Sequence, residues 1–321
     1  MQAQDVERAW HYFQINWIPI VLMGVALSAS LMLTDFRIGL AGALVTAAFV
    51  GVYAGFAYAN ARSPVRRDPQ VMFCLGSTAQ IVLITALMTP LTYVAGAMNF
   101  PLQDANLLAI DRALGIDWIA YVNYVNERPL LATWLGYGYT MIRWPIFAIP
   151  AVLAAVYRFE RLQEYTFAFS IALMITTVIS VFVPAIGSYQ HVGIDPASLK
   201  NLDLRAYTDF LRDFAPVRDG TMRTLDLLNL SGIVYFPSFH AGSAILYTWA
   251  LWPVRWIRPF AVLANAAMIA ATPVDGAHYF IDVIAGIVLA ALSIVLAKAV
   301  GRRLGARDVA ARPSPKLAAV T

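Results

Sequence analysis

The chain has a single cysteine, Cys74, among 321 residues, and only 13% of its residues are charged. One cysteine excludes an intrachain disulfide and a cysteine-based zinc site. A soluble domain has about 25% charged and about 45–50% apolar residues, whereas 60% of this chain is hydrophobic and its mean hydropathy is +0.65. The composition therefore excludes an ordinary soluble enzyme and indicates a polytopic helical membrane protein.

Long apolar runs are abundant instead. A helix that crosses a bilayer needs about 20 predominantly apolar residues, and we expect an all-α protein with about eight transmembrane helices. The predicted spans cover residues 15–33, 38–58, 71–97, 129–157, 165–186, 238–256, 259–274 and 277–300. The segment 106–128 is too polar to cross the bilayer alone and is interpreted as an interfacial helix. Asp104, Asp111 and Asp117 in or beside it have two open interpretations: they line the site or recognise a headgroup, or they are interfacial caps and ion pairs.

These spans divide the chain into three parts. Residues 1–70 hold two extra transmembrane helices, residues 71–301 form a six-helix core with a long loop at 187–237, and residues 302–321 form a flexible tail. Thirteen basic residues fall in the short segments on the side of both termini, and in the long loop six aspartates offset five basic residues. By the positive-inside rule we expect both termini to be cytoplasmic and the loop to be extracytoplasmic. We expect the membrane to be a bacterial inner membrane.

Two of the four histidines begin predicted spans on the extracytoplasmic side. His240 follows Pro237 and Ser238, and proline suits the first position of a helix because its missing N–H would have no partner there. His278 and Asp282 are four residues apart, so they share one face of a helix. Ionisable groups at membrane depth are costly and indicate function when they have a partner.

Two imidazoles and a carboxylate are sufficient for phosphoryl transfer through a covalent intermediate. In this interpretation His278 attacks phosphorus, Asp282 orients its ring and His240 protonates the leaving oxygen. The N-termini of two helices would favour the anionic phosphate between them.

These residues resemble the membrane type 2 phosphatidic acid phosphatase (PAP2) superfamily. Its Pro-Ser-x-His motif matches Pro237 to His240, and its His-x-x-x-Asp motif matches His278 to Asp282. The form His-Tyr-x-x-Asp is more similar to the branch that contains inositol phosphorylceramide synthases and sphingomyelin synthases. The resemblance covers about residues 71–300, and it implies a metal-independent phosphotransferase or phosphatase that forms a phosphohistidine.

The usual phosphate-binding cations of that family are missing from their standard positions. The expected Ser-Arg pair before His278 falls on Ala271 and Thr272, and Lys200 is not followed by the expected Arg-Pro. Other residues must then stabilise the charge that develops in phosphoryl transfer. The candidate substrate- and phosphate-binding residues are Arg143, Arg218, Arg223, Ser238 and Tyr279.

Two functions share these residues. The first is an inositol phosphorylceramide synthase-like phosphotransferase that moves a headgroup phosphate from a phospholipid donor to a lipid hydroxyl, and the second is hydrolysis of a lipid phosphate or polyprenyl diphosphate. A transporter or a zinc site at His240, His278 and Asp282 is a further alternative. We expect no cofactor, no metal and no nucleic-acid partner, with both lipids supplied by the bilayer.

Overall fold

The computed structural model describes residues 3–63 and 67–310, and about three quarters of the protein is helical, with almost no strand. The expectation of an all-α protein is confirmed. The helices are α1 (Ala3–Ile15), α2 (Trp17–Leu33), α3 (Leu40–Arg62), α4 (Pro69–Ala97), α5 (Asp104–Ala113), α6 (Trp118–Asn126), α7 (Pro129–Thr140), α8 (Pro145–Ala155), α9 (Phe159–Phe182), α10 (Ser188–Val192), α11 (Arg205–Asp219), α12 (Phe239–Leu251), α13 (Arg258–Asp275) and α14 (Phe280–Ala310), with a short 3₁₀ helix at Pro196–Ser198.

Five helices in the described ranges are long and apolar enough to cross a bilayer. They are Asp5–Leu33, which joins α1 and α2, and then α3, α4, α9 and the part of α14 up to Leu304. The pair α7 and α8, bent by 68°, makes a sixth if it is one span. The sequence predicts about eight, because it also counts 238–256 and 259–274. These correspond to α12, which has only 13 residues, and to α13, and neither qualifies by length and composition.

The N-terminal helix α1 is joined to the core by buried hydrogen bonds. The hydroxyl of Tyr12 donates to the carbonyl of Ala297 on α14 at 2.7 Å, and the amide of Asn16 donates to Gln163 Oε1 on α9 at 3.1 Å. Buried polar groups of this kind need partners. The first helix therefore joins α9 and α14 to each other, whereas α3 packs on α4 with most of its surface exposed.

Helices α12 and α14 approach each other backbone to backbone. A Cβ at Gly242 would lie 3.1 Å from the carbonyl oxygen of Gly286, and a Cβ at Gly286 would overlap the carbonyl oxygen of Ser238. Small residues allow such close packing of membrane helices. The contact sets the position of His240 relative to α14.

The long loop folds into an ordered structure, the loop cap, over one end of the bundle. It contains α10, α11 and the strand β2 (Thr224–Leu225), which pairs in parallel with β1 (Arg37–Ile38) in the turn between α2 and α3. Large buried aromatic side chains hold the loop cap on the helices. They are Tyr93, Trp118, Tyr189, Tyr207, Phe210, Phe214 and Tyr235.

At the other end of the chain, α14 continues to Ala310. Residues 302–310 are thus helical, although the sequence predicts that a flexible tail begins at 302. The helix is longer than the apolar run because charged residues such as Arg302 and Arg303 can continue a helix once it leaves the lipid, where they need no apolar surroundings. Residues 311–321 of the predicted tail lie outside the described residues.

We expect Gly286→Ala to lower the thermal stability of the purified protein, because the new methyl group would force α12 and α14 apart. Overpacking of this kind costs about 1–3 kcal/mol. Gly51→Ala on α3 is the matched control, since a Cβ at Gly51 would meet no atom within 4 Å and alanine favours helix formation. Thermal unfolding in detergent measures both, and equal midpoints for the two variants would contradict the packing.

Candidate active site

His278 and Asp282 form a buried pair at the start of α14. The Nδ1 atom of His278 lies 3.1 Å from Oδ2 of Asp282, and the two side chains are 5% and 0% exposed. The same carboxylate oxygen accepts the backbone N–H of Tyr279 at 2.9 Å. When Nδ1–H donates to the carboxylate, the lone pair is on Nε2, so Nε2 is the atom that can attack phosphorus. Burial lowers the pKa of the His278 imidazole, which precedes the span, and a neutral ring keeps that lone pair.

A short loop between α13 and α14 carries His278. Ala277 in this loop has a positive φ of 55°, and its carbonyl accepts both the N–H of Ser188 at 3.0 Å and its hydroxyl at 2.7 Å. Two further side chains donate to backbone carbonyls just before the loop: Trp118 to Pro273 and Tyr189 to Val274. The conformation of the histidine loop is therefore set by side chains from other parts of the chain, among them Ser188 and Tyr189 of the loop cap.

Two aspartates of α5 hold the other side of this loop. Asp111 accepts the N–H groups of Phe280 and Ile281 at 2.8 Å each, so it caps α14 from a distant part of the chain. Burial raises the pKa of Asp111, and these two hydrogen bonds act in the opposite direction. Asp104 accepts the hydroxyl of Tyr279 at 3.0 Å. Of the roles that the sequence allows for Asp111, the structure therefore shows helix capping.

The second histidine lies at the first turn of α12. Its ring stacks on that of Tyr139 from α7, with centroids 4.1 Å apart and planes inclined by 11°. Ser238 caps the helix: its Oγ accepts the N–H of Ala241, and its own N–H donates to the backbone carbonyl of Asp282 at 3.0 Å. This last bond joins the start of α12, which carries His240, to the residue that holds His278.

The two histidines face a common region. A Cβ at Gly276 would lie 2.7 Å from the Tyr139 hydroxyl oxygen and 2.9 Å from Cδ2 of His278. The tyrosine that stacks on His240 thus also borders the His278 loop. His240 is within electrostatic range of both His278 and Arg143.

A family model described as the PAP2 superfamily matches residues 105–296, which are more than half of the chain and include His240, His278 and Asp282. The chain belongs to the PAP2 superfamily. No curated protein and no solved structure matches it. As a PAP2 protein it is an integral membrane phosphatase or phosphotransferase that acts on phosphate esters.

The candidate arginines of this PAP2 protein lie in different places. Arg143 lies at the break between α7 and α8, close enough to act electrostatically on His240. Arg218 donates to the carbonyl of Phe100 at 3.0 Å, and burial lowers its pKa. Arg223 donates to the carbonyl of Val217 at 2.8 Å. No contact in the described ranges joins Arg218 or Arg223 to the histidines, so of the three only Arg143 is brought to them.

Two other candidates are turned towards the protein. The side chain of Tyr279 is fully buried, and its hydroxyl donates to Asp104 rather than facing a substrate. Ser238 is also fully buried, and its hydroxyl oxygen caps α12. Tyr139 is the residue that sequence reasoning missed, because an aromatic residue in an apolar run has no pattern that distinguishes it from packing. Among residues 3–63 and 67–310, no group of three His, Cys, Asp or Glu side chains is arranged to hold a metal ion.

Removing the cap of α14 should impair turnover more than stability. We expect Asp111→Ala to lower kcat at least tenfold, because the start of α14 and the His278 loop lose a fixed orientation, and to cost about 0.5–2 kcal/mol of stability as caps do. Asp68→Ala, which removes the cap of α4 by the same change, is the control. Turnover of a lipid phosphate ester and the melting midpoint are measured for both variants; equal loss of turnover in both would contradict the positioning role.

Proposed function

We propose that this PAP2 protein is a lipid phosphotransferase, which moves a headgroup phosphate from a phospholipid donor to a lipid hydroxyl through a phosphohistidine. One observation supports it above all: the buried contact between His278 Nδ1 and Asp282 leaves Nε2 of His278 for attack. His240, stacked on Tyr139, serves as the proton donor and acceptor. The reaction occurs on the extracytoplasmic side, with both termini cytoplasmic, as the distribution of basic residues indicates.

The reaction has two half-steps. In the first, Nε2 of His278 bonds to the donor phosphorus, the bond from phosphorus to the leaving oxygen breaks, and His240 gives this oxygen its proton. In the second, His240 takes the proton of the acceptor hydroxyl, the acceptor oxygen bonds to phosphorus, and the phosphorus–nitrogen bond breaks. Asp282 stabilises the positive charge on the His278 ring in both half-steps.

An apolar groove next to the site supports lipid substrates. It has a volume of about 410 Å³, lies between α9 and α14, and is lined at one end by Phe236 and Pro237, just before the Ser238 cap. Ala285, one turn after Asp282, is part of the same wall. An acyl chain in this groove would hold its ester phosphate near the histidines.

Transfer rather than hydrolysis is supported by the burial of the nucleophile. His278 is 4% exposed and its ring lies against Tyr235 of the loop cap, so water has little access to a phosphate bound to it. The missing arginine before His278 also departs from the phosphatase pattern. Hydrolysis with the same three residues is the alternative that the experiment distinguishes.

Lipid mass spectrometry on purified protein in mixed phospholipid, with added ceramide and diacylglycerol, tests this function. We expect a new phospholipid that carries the transferred headgroup phosphate, and we expect it to be absent with His278→Ala and His240→Ala. Asp282→Asn should lower the rate by about 10²-fold or more, since the three groups act together. His191→Ala, at an exposed position of α10, is the matched histidine control and should keep its activity. Loss of phosphate without a new phospholipid would identify a phosphatase, and near-normal turnover by His278→Ala would exclude the mechanism.

The arginines give a second prediction. Arg143→Ala should lower kcat/KM about 10²-fold, because one well-placed donor to the developing charge is worth about that much. Arg143→Lys should recover part of this loss, since it keeps the charge but not the planar fork. Arg218→Ala and Arg223→Ala are the comparison. Any loss of kcat/KM in these two variants should be explained by the fall in their melting midpoints. A larger kinetic loss in these two than in Arg143→Ala would reverse the assignment.

A further inference from the structure

Asp275 is a buried carboxylate that the proposed mechanism does not use. It is the last residue of α13, three residues before His278, and it is 3% exposed. Its Oδ2 atom is buried and has no hydrogen-bond partner within the part of the chain that the structure describes. An unpartnered buried carboxylate oxygen is costly, so a native protein keeps one where a ligand can supply the missing donor.

Two of the tyrosine donors around Asp275 are engaged elsewhere, and a third, Tyr139, lies within electrostatic range of it. Tyr121 donates its hydroxyl to the carbonyl of Ala270 at 2.8 Å, and Tyr189 donates to that of Val274 at 2.9 Å. Both tyrosines are within electrostatic range of Asp275. The charged group that acts on it most strongly is another carboxylate, Asp203, rather than a cation. The protein therefore surrounds Asp275 without satisfying it.

The side chain of Asp275 is directed towards a gap on α7. Oδ1, the other oxygen of this carboxylate, is 3.9 Å from the position that a Cβ at Gly136 would take, and apart from the neighbouring residues and backbone of α7 no other atom lies within 4 Å of that position. Glycine thus leaves space in front of the carboxylate. Gly136 and Tyr139 are three residues apart on α7, so they share one face of the helix. Tyr139, whose ring stacks on that of His240, is also within electrostatic range of Asp275.

Through Tyr139, Asp275 is linked to the part of the site where His240 lies. Tyr139 stacks on His240, the group that gives and takes the proton of that oxygen in the proposed reaction. Nε2 of His278 approaches phosphorus from the opposite direction in an in-line transfer. A carboxylate on the His240 side therefore meets the alcohol and not the phosphoryl oxygens, which it would repel.

We propose that Asp275 binds a hydroxyl group of the acceptor lipid. Its carboxylate accepts the hydrogen bond of that hydroxyl in the gap beside Gly136 while the acceptor binds. The hydroxyl then rotates so that its single proton points to His240, which takes it as the acceptor oxygen bonds to phosphorus. The inference rests on the proposed transfer function, and it makes Asp275 the residue by which the site selects a lipid alcohol as acceptor. A site built to bond a hydroxyl rejects analogues that lack it, because its own polar group is then left unpaired.

Binding to a catalytically inactive protein tests this without turnover. Ceramide and 1-deoxyceramide, which lacks the terminal hydroxyl, are titrated in detergent against His278→Ala protein and against the same protein with Asp275→Asn. We expect the first protein to bind ceramide at least tenfold more tightly than 1-deoxyceramide, and the second to lose most of this preference. The same two titrations with diacylglycerol and its 3-deoxy analogue cover the glycerolipid acceptor. The inference would be overturned if Asp275→Asn left the preference for the lipid over its deoxy analogue unchanged, both for ceramide and for diacylglycerol.

Kinetics of the otherwise native protein give a second readout. For Asp275→Asn we expect the KM for the acceptor to rise at least tenfold, while the initial formation of phosphohistidine from mixed phospholipid stays within about twofold. Asp209→Asn, which makes the same change at a half-exposed carboxylate of α11 that pairs with Arg212, is the control and should leave both unchanged. An equal fall in phosphohistidine formation and transfer would place Asp275 in the first half-step and overturn the assignment. If the wild-type protein forms no transfer product at all, the proposed function itself is wrong. If the wild-type protein is a transferase but Asp275→Asn does not change the KM for the acceptor, only the inference about Asp275 is wrong.

Discussion

A single buried carboxylate, Asp282, connects every part of the candidate site. Its side chain contacts His278 Nδ1 and accepts the N–H of Tyr279, while its backbone carbonyl accepts the N–H of Ser238. One residue thus orients the ring of His278, fixes the start of α14 and joins α12 to it. In a low-dielectric interior each of these bonds is stronger than it would be in water, and each is costly to leave unmade.

The elements around this carboxylate are arranged to satisfy polar groups that the membrane would not. Asp104 and Asp111 of α5 accept N–H groups at the starts of other helices, and buried aromatic side chains donate to carbonyls before the histidine loop. Backbone groups without partners are costly where water is scarce. The loop cap and α5 are therefore part of the catalytic framework, and the site depends on residues that are more than a hundred positions apart in the chain.

Local rules explain what the sequence predicts well. Ser238 before His240 caps a helix, which a local pattern predicts, but Pro237 precedes this cap and is not the first helical residue. His278 and Asp282 do contact each other, but the expectation of a shared helical face is wrong, because His278 lies in the loop before α14 and only Asp282 is on the helix. Other features depend on tertiary packing, which no local pattern contains. They are the stacking of Tyr139 on His240, the hydrogen bond of Tyr279 to Asp104 and the separation of Arg218 from the histidines. The number of spans is also a tertiary property, because α12 is surrounded by other helices and needs fewer apolar residues than a helix that faces lipid.

The backbone contact between α12 and α14 has a kinetic consequence. Because Gly286 and Gly242 allow no side chain between the two helices, His240 and His278, the proposed proton donor and nucleophile, belong to one rigid body. A lipid that reaches them meets a pair that is already aligned, so little reorganisation energy is required when the phosphoryl group moves. In the proposed reaction, any opening for a substrate as large as a phospholipid then has to come from the surrounding helices. Turnover would be limited by lateral diffusion of the lipid and by the rate of that opening, rather than by assembly of the catalytic groups.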